Sequence, residues 1–186
     1  MTSLSNVYDI TDATSDIDDV IKQLESYTFK RAKGTGRRTG GSNDRNNLSE
    51  YEYINTRSVI RLRPLMKVVK ALAKRLNIYD YMLVHYILQL QPGDFLDIQD
   101  YWQEDEGLDK VDGASNRWIL GKFFSIALTD NNNVNIDGDH ICVPQYHAIE
   151  FNPAVIHSIP KTSYKNTWLV YMVPDYLNID STLNKE

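Results

Sequence analysis

Four histidines and a set of acidic side chains are the residues of this 186-residue chain that could bind a metal ion or move protons. His140, His147 and His157 lie close together in the sequence, with Glu150 among them. Neutral imidazole and carboxylate are common ligands of zinc, copper and iron. His140 and His147 are separated by an odd number of residues, so on one continuous strand they would face opposite sides. A turn at Pro144 could change that, so a metal site drawn from these residues stays open as an alternative.

Cys142 is the single cysteine, which excludes an internal disulfide and a zinc–cysteine cluster. It stands between Ile141 and Val143 in a strand-like run, and nothing in its sequence neighbourhood suggests an oxyanion donor. We therefore interpret Cys142 as a buried, inert thiol. The acidic run at 103–113 lacks the alternating oxygen ligands of an EF-hand loop and is predicted to be an exposed loop.

The elements that must position these residues are mostly β-strands. From residue 79 onward, short segments rich in Val, Ile, Tyr, Phe and Trp are separated by Gly, Pro, Asn and Asp. Many short strands within one chain segment favour an antiparallel sandwich or barrel.

Two helices are predicted before the strands. Ile17 and Val20 belong to an apolar set at helical spacing, with Ser15 as the expected N-cap. A second helix begins at Pro64, and its apolar stripe includes Leu72.

The domain organisation follows from these elements. We expect an N-terminal helical region at 1–78, which contains a flexible basic loop at 30–47 rich in Gly, Arg and Asn. A β core is expected at 79–186. The length of the chain suits one compact domain that contains both regions.

The charge is unevenly distributed along the chain. The net charge is −5. Residues 30–75 carry thirteen lysines and arginines but three acids, a net charge of +10, which leaves −15 for the rest. Such asymmetry favours contact with an anionic partner or with another copy of the chain. The basic residues expected to make these contacts are Arg31, Lys33, Arg37, Arg38, Arg45, Lys67, Lys70 and Lys74.

Three stretches resemble the double-stranded β-helix (jelly-roll) fold of Fe(II)/2-oxoglutarate oxygenases, of the aspartyl/asparaginyl β-hydroxylase or phage oxygenase type. LQLQPGDFLDIQDYW is similar to the family's strand, Pro-Gly turn and strand that carries a His-x-Asp pair. FFSIALTDNNNVNIDGDH resembles its central hairpin, and AIEFNPAVIHSIPKTSYKNTWLVYMVPD resembles the segment with the distal histidine. The resemblance covers roughly residues 80–176. It implies a mostly β jelly-roll with the N-terminal α-helices packed on one side.

The resemblance also implies Fe(II) held by two histidines and one carboxylate. His157 matches the distal histidine. Counting from the Pro-Gly turn without a gap puts Gln99 at the first histidine and Tyr101 at the aspartate, whereas a one-residue deletion puts Ile98 and Asp100 there. Neither alignment gives His-x-Asp, so the metal triad is degenerate. If the site is active, its metal ligands are Asp100, His157 and Gln99.

The position that anchors 2-oxoglutarate departs from the family as well. The family usually places an arginine about ten positions after the distal histidine, where this chain has Thr167, with Lys165 nearby. Lys165 could hold a carboxylate as a point charge, without the bidentate fork of arginine.

Three functions are consistent with these observations. The first is a non-catalytic interaction or structural protein, for example in a viral particle, that binds other protein subunits or an acidic surface and needs no cofactor. The alternative is a Fe(II)/2-oxoglutarate-dependent hydroxylase that uses both cofactors. The second alternative is nucleic-acid contact through residues 30–75.

The sequence also bears on location. The polar, acidic N-terminus is not a signal peptide, and no apolar run is long enough for a membrane span. We therefore expect a cytoplasmic protein or a component of a viral particle, with no membrane partner, and a homo-oligomer as one form of assembly.

Overall fold

The computed structural model describes residues 5–33, 50–55, 63–78, 84–99, 122–152 and 155–173. Within these ranges the chain forms helices α1 (Thr14–Leu24) and α2 (Arg63–Arg75) and a 3-10 turn at Thr11–Ala13. The strands in chain order are β1 (Ser5–Asp9), β2 (Lys30–Lys33), β3 (Glu50–Asn55), β4 (Val84–Leu90), β5 (Leu96–Gln99), β6 (Lys122–Ala127), β7 (Asn132–Ile136), β8 (Asp139–Val143), β9 (His147–Phe151), β10 (His157–Ile159) and β11 (Asn166–Val173).

Two antiparallel sheets enclose an apolar core. The larger sheet has the strand order β1-β9-β6-β11-β4-β3-β2, and the smaller has the order β5-β10-β7-β8. Buried side chains of the larger sheet, such as Leu88 and Trp168, belong to one cluster with Ile136 and Ile159 of the smaller sheet. This arrangement is a jelly-roll, which confirms the predicted mostly β double-stranded β-helix.

The hairpin of β7 and β8 shows how local sequence fixes the pairing. Asn132, Val134 and Ile136 are buried and alternate with more exposed residues, as expected for a strand with one face toward a core. Asp137 and Gly138 form the two-residue turn, with φ angles of 50° and 88°. Positive φ at both positions is the conformation of a type I′ hairpin turn, which favours Asp-Gly.

The two helices lie together on the outer face of the larger sheet. Ile17 and Val20 of α1 and Leu65 and Leu72 of α2 are buried in one cluster that also contains Leu169 of β11. This confirms the prediction that the N-terminal helices pack on one side of the jelly-roll. In the described parts of the chain, neither helix is long and apolar enough to cross a membrane.

Strand β11 separates the two cores because its side chains alternate between them. Leu169 and Tyr171 belong to the cluster under the helices. Trp168 and Val170 belong to the cluster between the sheets. Both faces of β11 are therefore buried, and its residues face either the helices or the barrel interior.

The N-terminal region differs from the prediction in three respects. It supplies strands β1, β2 and β3 to the larger sheet, none of which was predicted. Lys30–Lys33, placed in the predicted flexible loop, forms β2; the rest of that loop lies outside the described residues. Charged residues suit β2 because it is an edge strand. Ser15 is not the N-cap of α1, since the 3-10 turn leads directly into a helix that begins at Thr14.

Candidate functional site

A cavity lies inside the barrel, between the two sheets. Its wall consists of twelve described residues, mostly apolar, with His157, Ser125, Tyr86 and Trp168 as the ones that carry polar atoms. Among these described wall residues there is no Lys, Arg, Asp or Glu. The cavity volume is about 40 Å³. The described part of the site is therefore compact and mostly apolar, with no acidic side chain, lysine or arginine.

His157 begins β10 and is 4% exposed. Its Nδ1 lies 2.7 Å from the backbone oxygen of Val155. Because a carbonyl oxygen can only accept, Nδ1 carries the proton, and the neutral ring then has its lone pair on Nε2. The ring also packs against Phe123 and Phe151, with ring centroids 5.8 Å and 5.0 Å away. Metal-binding histidines are commonly oriented by such a hydrogen bond from the other ring nitrogen, so this part of the site suits a metal ligand.

The residue of β5 that pairs with His157 is Gln99. Strands β10 and β5 pair antiparallel, with Gln99 opposite His157 and Leu96 opposite Ile159. A register irregularity between these two pairs gives β10 an offset relative to β5. Position 99 is thus the β5 position that pairs with His157. Asp100, Tyr101 and the side chain of Gln99 lie outside the described residues. Of the predicted metal ligands, His157 is therefore the one whose side chain is described.

Three consecutive residues at the start of β11 have different environments: Lys165, Asn166 and Thr167. Lys165 is exposed and precedes the strand. Thr167 is buried on the helix-facing side, where its hydroxyl accepts a hydrogen bond from Gln89 at 3.3 Å and its N–H donates to Thr129 at 2.9 Å. Asn166 is fully buried and lies on the same strand face as Trp168. Of these three residues, Asn166 is the one on the barrel side of β11.

Asn166 and Trp168 carry buried polar atoms that lack partners. Within the described structure, neither amide atom of Asn166 nor Nε1 of Trp168 makes a hydrogen bond. The sequence reasoning missed both residues. A polar Asn at the start of the apolar run NTWLVYMV was a possible signal, but only the register of β11 shows which face it occupies.

His140 and His147 do not join His157. His140 is exposed and contacts Asn135 at 2.9 Å, and His147 contacts the backbone oxygen of Gln145 at 3.1 Å. Glu150 accepts hydrogen bonds from Tyr8 at 3.0 Å and from Lys122 at 2.6 Å on the outer face of the larger sheet. Across the described ranges, no three His, Cys, Asp or Glu residues are grouped so that they could hold a metal ion.

Cys142 was predicted to be buried, and this is wrong. The thiol is exposed. Strand β8 is an edge strand of the smaller sheet, and its burial pattern leaves Cys142 outside while the next residue, Val143, is in the core.

The basic residues expected to make contacts are found in four situations. Arg31 forms a two-pronged ion pair with the buried Asp94, in which Nη2 and Oδ1 are 2.5 Å apart, so it holds the turn after β4. Lys67, Lys70 and Lys74 are exposed along α2. Lys33 lies on β2. The remaining three, Arg37, Arg38 and Arg45, lie outside the described residues.

Comparison with known proteins gives structural matches without sequence matches. No family model and no curated protein matches the sequence. A Trichoplax adhaerens prolyl hydroxylase, in complex with a hypoxia inducible factor peptide, aligns with a TM-score of 0.59 and 10% identity over 100% of this chain and 89% of that chain. A Burkholderia pseudomallei oxidoreductase of the 2OG-Fe(II) oxygenase family aligns with a TM-score of 0.57 and 9% identity, covering 90% and 84% of the two chains.

A third match, a Pseudomonas putida prolyl-4-hydroxylase, aligns with a TM-score of 0.54 and 11% identity over 93% of each chain. The fold is an oxygenase-like double-stranded β-helix. At this level of identity the likeness concerns the fold, so the chemistry must be judged from the residues of the oxygenase-like barrel itself.

The barrel wall can be tested against the two cofactors that its fold implies. His157 has the hydrogen bonding and position of one metal ligand. 2-Oxoglutarate carries two carboxylates, and burial of a carboxylate is costly unless a cation or strong donors pair with it. In the described part of the wall, one residue suits a metal ligand and none carries a cation that could pair with the carboxylates of 2-oxoglutarate.

Proposed function

We propose that this protein is a non-catalytic interaction protein that uses the oxygenase-like barrel as a scaffold. The observation that carries the proposal is the composition of the barrel wall. An enzyme of this chemistry needs several metal ligands and a cation for its cosubstrate, whereas the described wall has one histidine and no carboxylate, lysine or arginine. The ring of His157 packs against two aromatic side chains, so in the proposed protein His157 serves as a residue of the core.

The surface proposed for interaction is the outer side of the helix layer. Lys67, Lys70 and Lys74 recur at helical spacing and form an exposed basic stripe on α2. The neighbouring segment exposes acids, including Asp12 in the 3-10 turn and Asp19 in α1. The two helices pack together, and Arg75 of α2 pairs with Asp16 of α1 at 2.6 Å. The layer therefore presents a basic half beside an acidic half.

A second copy of the chain is the partner that fits this surface best. A two-fold axis across the layer would bring the basic stripe of each copy onto the acidic half of the other. A nucleic acid would suffer repulsion between its phosphates and the acids of α1. The overall charge asymmetry of the sequence is consistent with the same arrangement.

Self-association through the helix layer should depend strongly on salt. We expect the wild type to associate at low ionic strength and to dissociate at about 0.5 M salt. At that concentration the salt limits the attraction between charges to a range of less than about 10 Å. Replacement of Lys67, Lys70 and Lys74 by Glu should abolish association and leave the fold intact. Sedimentation velocity at several salt concentrations measures the effect.

The control changes the same number of lysines outside the helix layer, at Lys122, Lys161 and Lys165, and should associate like the wild type. A charge-reversed variant of the acidic half, with Asp12→Lys and Asp19→Lys, should pair with the lysine-to-glutamate variant in a mixture. Association that survives the α2 changes would contradict the proposed surface. Binding of single-stranded DNA with a steep salt dependence would favour the nucleic-acid alternative instead.

An active Fe(II)/2-oxoglutarate hydroxylase is the second candidate. It is favoured by the fold shared with solved oxygenases and by the Nδ1 hydrogen bond of His157, which presents Nε2 in the form that a metal requires. In this reading Asp100, Gln99 and His157 would hold the metal and Lys165 would contact the cosubstrate.

Anaerobic titration with Fe(II) and 2-oxoglutarate separates the two candidates. For the proposed non-catalytic protein, we expect no metal-to-ligand absorption band and no stabilisation against heat at millimolar concentrations of both. The His157→Ala variant should then behave like the wild type in the titration. A band in the wild type that disappears in His157→Ala would contradict the proposal and establish the second candidate.

A further inference from the structure

We propose that the edge strand β1 pairs antiparallel with β1 of a second copy, so that the two larger sheets join into one continuous sheet. The inference goes beyond the proposed function and does not require it, because it concerns an edge of the sheet and not the helix layer. It starts from the place of β1 in the fold. The strand pairs with β9 on one side, and within the described ranges no strand pairs with its other side.

The two edges of the larger sheet are built differently. Exposed edge strands tend to pair with other chains, and folded proteins commonly discourage this with lysines, prolines or bulges. The edge at β2 has the sequence KRAK, in which three of the four residues are basic. The edge at β1 has the sequence SNVYD, without Lys, Arg or Pro, and its residues pair with β9 in unbroken register. The edge at β1 therefore lacks the usual protection against pairing.

Both faces of β1 are accessible. Val7 and Tyr8 are 44% and 40% exposed, and they are two of the four exposed large hydrophobic side chains in the described structure. Val7 lies on the barrel side, opposite the buried Ile149, whereas Tyr8 lies on the helix side, where its ring stacks on Phe124. Since neither the smaller sheet nor the helix layer buries these side chains, neither layer blocks a further strand beside β1.

The backbone of β1 presents alternate residues to the edge. The N–H of Ile10 donates to the oxygen of Tyr146 at 3.0 Å, and these two residues continue the register of β1 and β9. In an antiparallel pair, hydrogen-bonded residues alternate with residues whose N–H and C=O point the other way. Counting back from Ile10, the even-numbered residues bond to β9, whereas the backbone groups of Ser5, Val7 and Asp9 point toward the edge.

A two-fold axis at Val7 gives the most complete pairing. It places Val7 opposite its own counterpart and Ser5 opposite Asp9 of the second copy, so every residue of each strand has a residue opposite it. Val7 and its counterpart then exchange two backbone hydrogen bonds, and each pair of Ser5 and Asp9 can add two more. An axis at Asn6 or Tyr8 would keep the same alternation but would leave part of each strand unpaired.

The side chains make the strand complementary to itself. On the barrel side, the apolar Val7 meets the same residue of the second copy, and apolar pairs directly across a sheet are stabilising. Asp9 carries the one charge of the strand, and it lies opposite the hydroxyl of Ser5 and far from the other Asp9. On the helix side, Asn6 lies opposite Tyr8 of the second copy. A second copy therefore fits this edge without bringing like charges of the two strands together.

Disulfide trapping tests the register. The native thiol is removed by Cys142→Ser, and Val7→Cys is added to that chain. We expect mild oxidation to yield a covalent dimer, because the Cα atoms of the two introduced cysteines would lie about 5.5 Å apart, within the range of a disulfide. The reaction is run at about 0.5 M salt, where the helix layer should dissociate, so a dimer reports on β1. Ile156→Cys in the same background, at a side chain that is 49% exposed, should remain monomeric.

A mixture of variants distinguishes this register from chance collision. Asn6→Cys and Tyr8→Cys, each in the Cys142→Ser background, should stay monomeric alone, because positions out of register by two residues are about 7–8 Å apart, too far for a disulfide. Mixed together, the two variants should form a disulfide-linked heterodimer. Dimers of all variants in similar yield would overturn the proposal. A Val7→Cys chain that reacts with a small thiol reagent but forms no dimer would overturn it as well.

Sedimentation equilibrium at the same salt concentration measures the contact in the unmodified chain. A strand of this length gives a small contact, so we expect the wild type to associate weakly. Val7→Lys should weaken the association at least about tenfold, because it removes the apolar pair and places two like charges opposite each other. Ile156→Lys, which also puts a lysine in place of an exposed apolar side chain, should associate like the wild type.

A wild type that stays monomeric, or equal association of Val7→Lys and the wild type, would contradict the inference. The lysine-to-glutamate changes in α2 should leave association through β1 unchanged at this salt concentration. A failure of the β1 contact and a failure of the helix-layer contact are therefore visible separately.

Discussion

Gln99→His is expected to raise the affinity of the protein for Co(II) or Zn(II) by at least about 100-fold. The substitution places an imidazole at the β5 position that pairs with His157 across the smaller sheet. Even residues that only orient a metal ligand change affinity by about 10–100-fold, so the addition of a direct ligand should have at least the upper effect. The measurement is a Co(II) titration followed by ligand-field absorption, with Zn(II) competition for affinity.

Two control variants show whether the gain comes from the pair of histidines. Gln99→Leu should bind no better than the wild type, and Gln99→His combined with His157→Ala should lose the gain. An unchanged affinity in Gln99→His would mean that side chains at positions 99 and 157 do not converge on one ion. Micromolar binding by the wild type itself, lost in Gln99→Leu, would instead identify Gln99 as a native ligand and favour the hydroxylase.

The β core was predictable because its signals are local. The turn at Asp137 and Gly138 and the alternation of Val134 and Ile136 are encoded within a few residues of the chain. The strand β2 was missed because KRAK has no apolar alternation. Its place at the edge of the sheet depends on pairing with β3, which the sequence of β2 does not show. Cys142 was misjudged for a related reason, because the sequence does not show that β8 is an edge.

The candidate site was predictable in part. His157 was correctly placed on a strand, but the identity of its neighbour depends on the register of β10 against β5, which contains an irregularity. Counting along the chain pointed to Lys165 and Thr167, whereas strand alternation puts Asn166 on the barrel side. Which residue lies beside His157 and which residue of β11 faces the barrel depend on pairing between distant segments. A single sequence carries no direct signal for that pairing.

Tyr171→Phe is expected to change the stability of the protein in opposite directions at neutral and alkaline pH. The Tyr171 hydroxyl is buried and donates a hydrogen bond of 2.7 Å to the backbone oxygen of Val69 in α2. Loss of this bond should lower the free energy of unfolding by about 1 kcal/mol at pH 7. Urea unfolding of both proteins at several pH values measures the difference.

The sign reverses at high pH because burial raises the pKa of Tyr171 well above its usual value. The phenol keeps its proton in the folded chain, while in the unfolded chain it ionises near pH 10. The stabilisation is complete below that pH and is lost above it, by about 1.4 kcal/mol for each further pH unit until the folded pKa is reached. The phenylalanine variant has no such loss, so by about pH 11 it should be the more stable protein.

Tyr164→Phe is the matched control, because it removes the same hydroxyl from a side chain that is 60% exposed. This variant should follow the wild type at every pH. A stability difference between Tyr171→Phe and the wild type that stays constant from pH 7 to pH 11 would show that Tyr171 ionises without unfolding. In that case the contact between α2 and β11 would be open to solvent, and the helix layer would be less firmly attached to the barrel than its buried cluster implies.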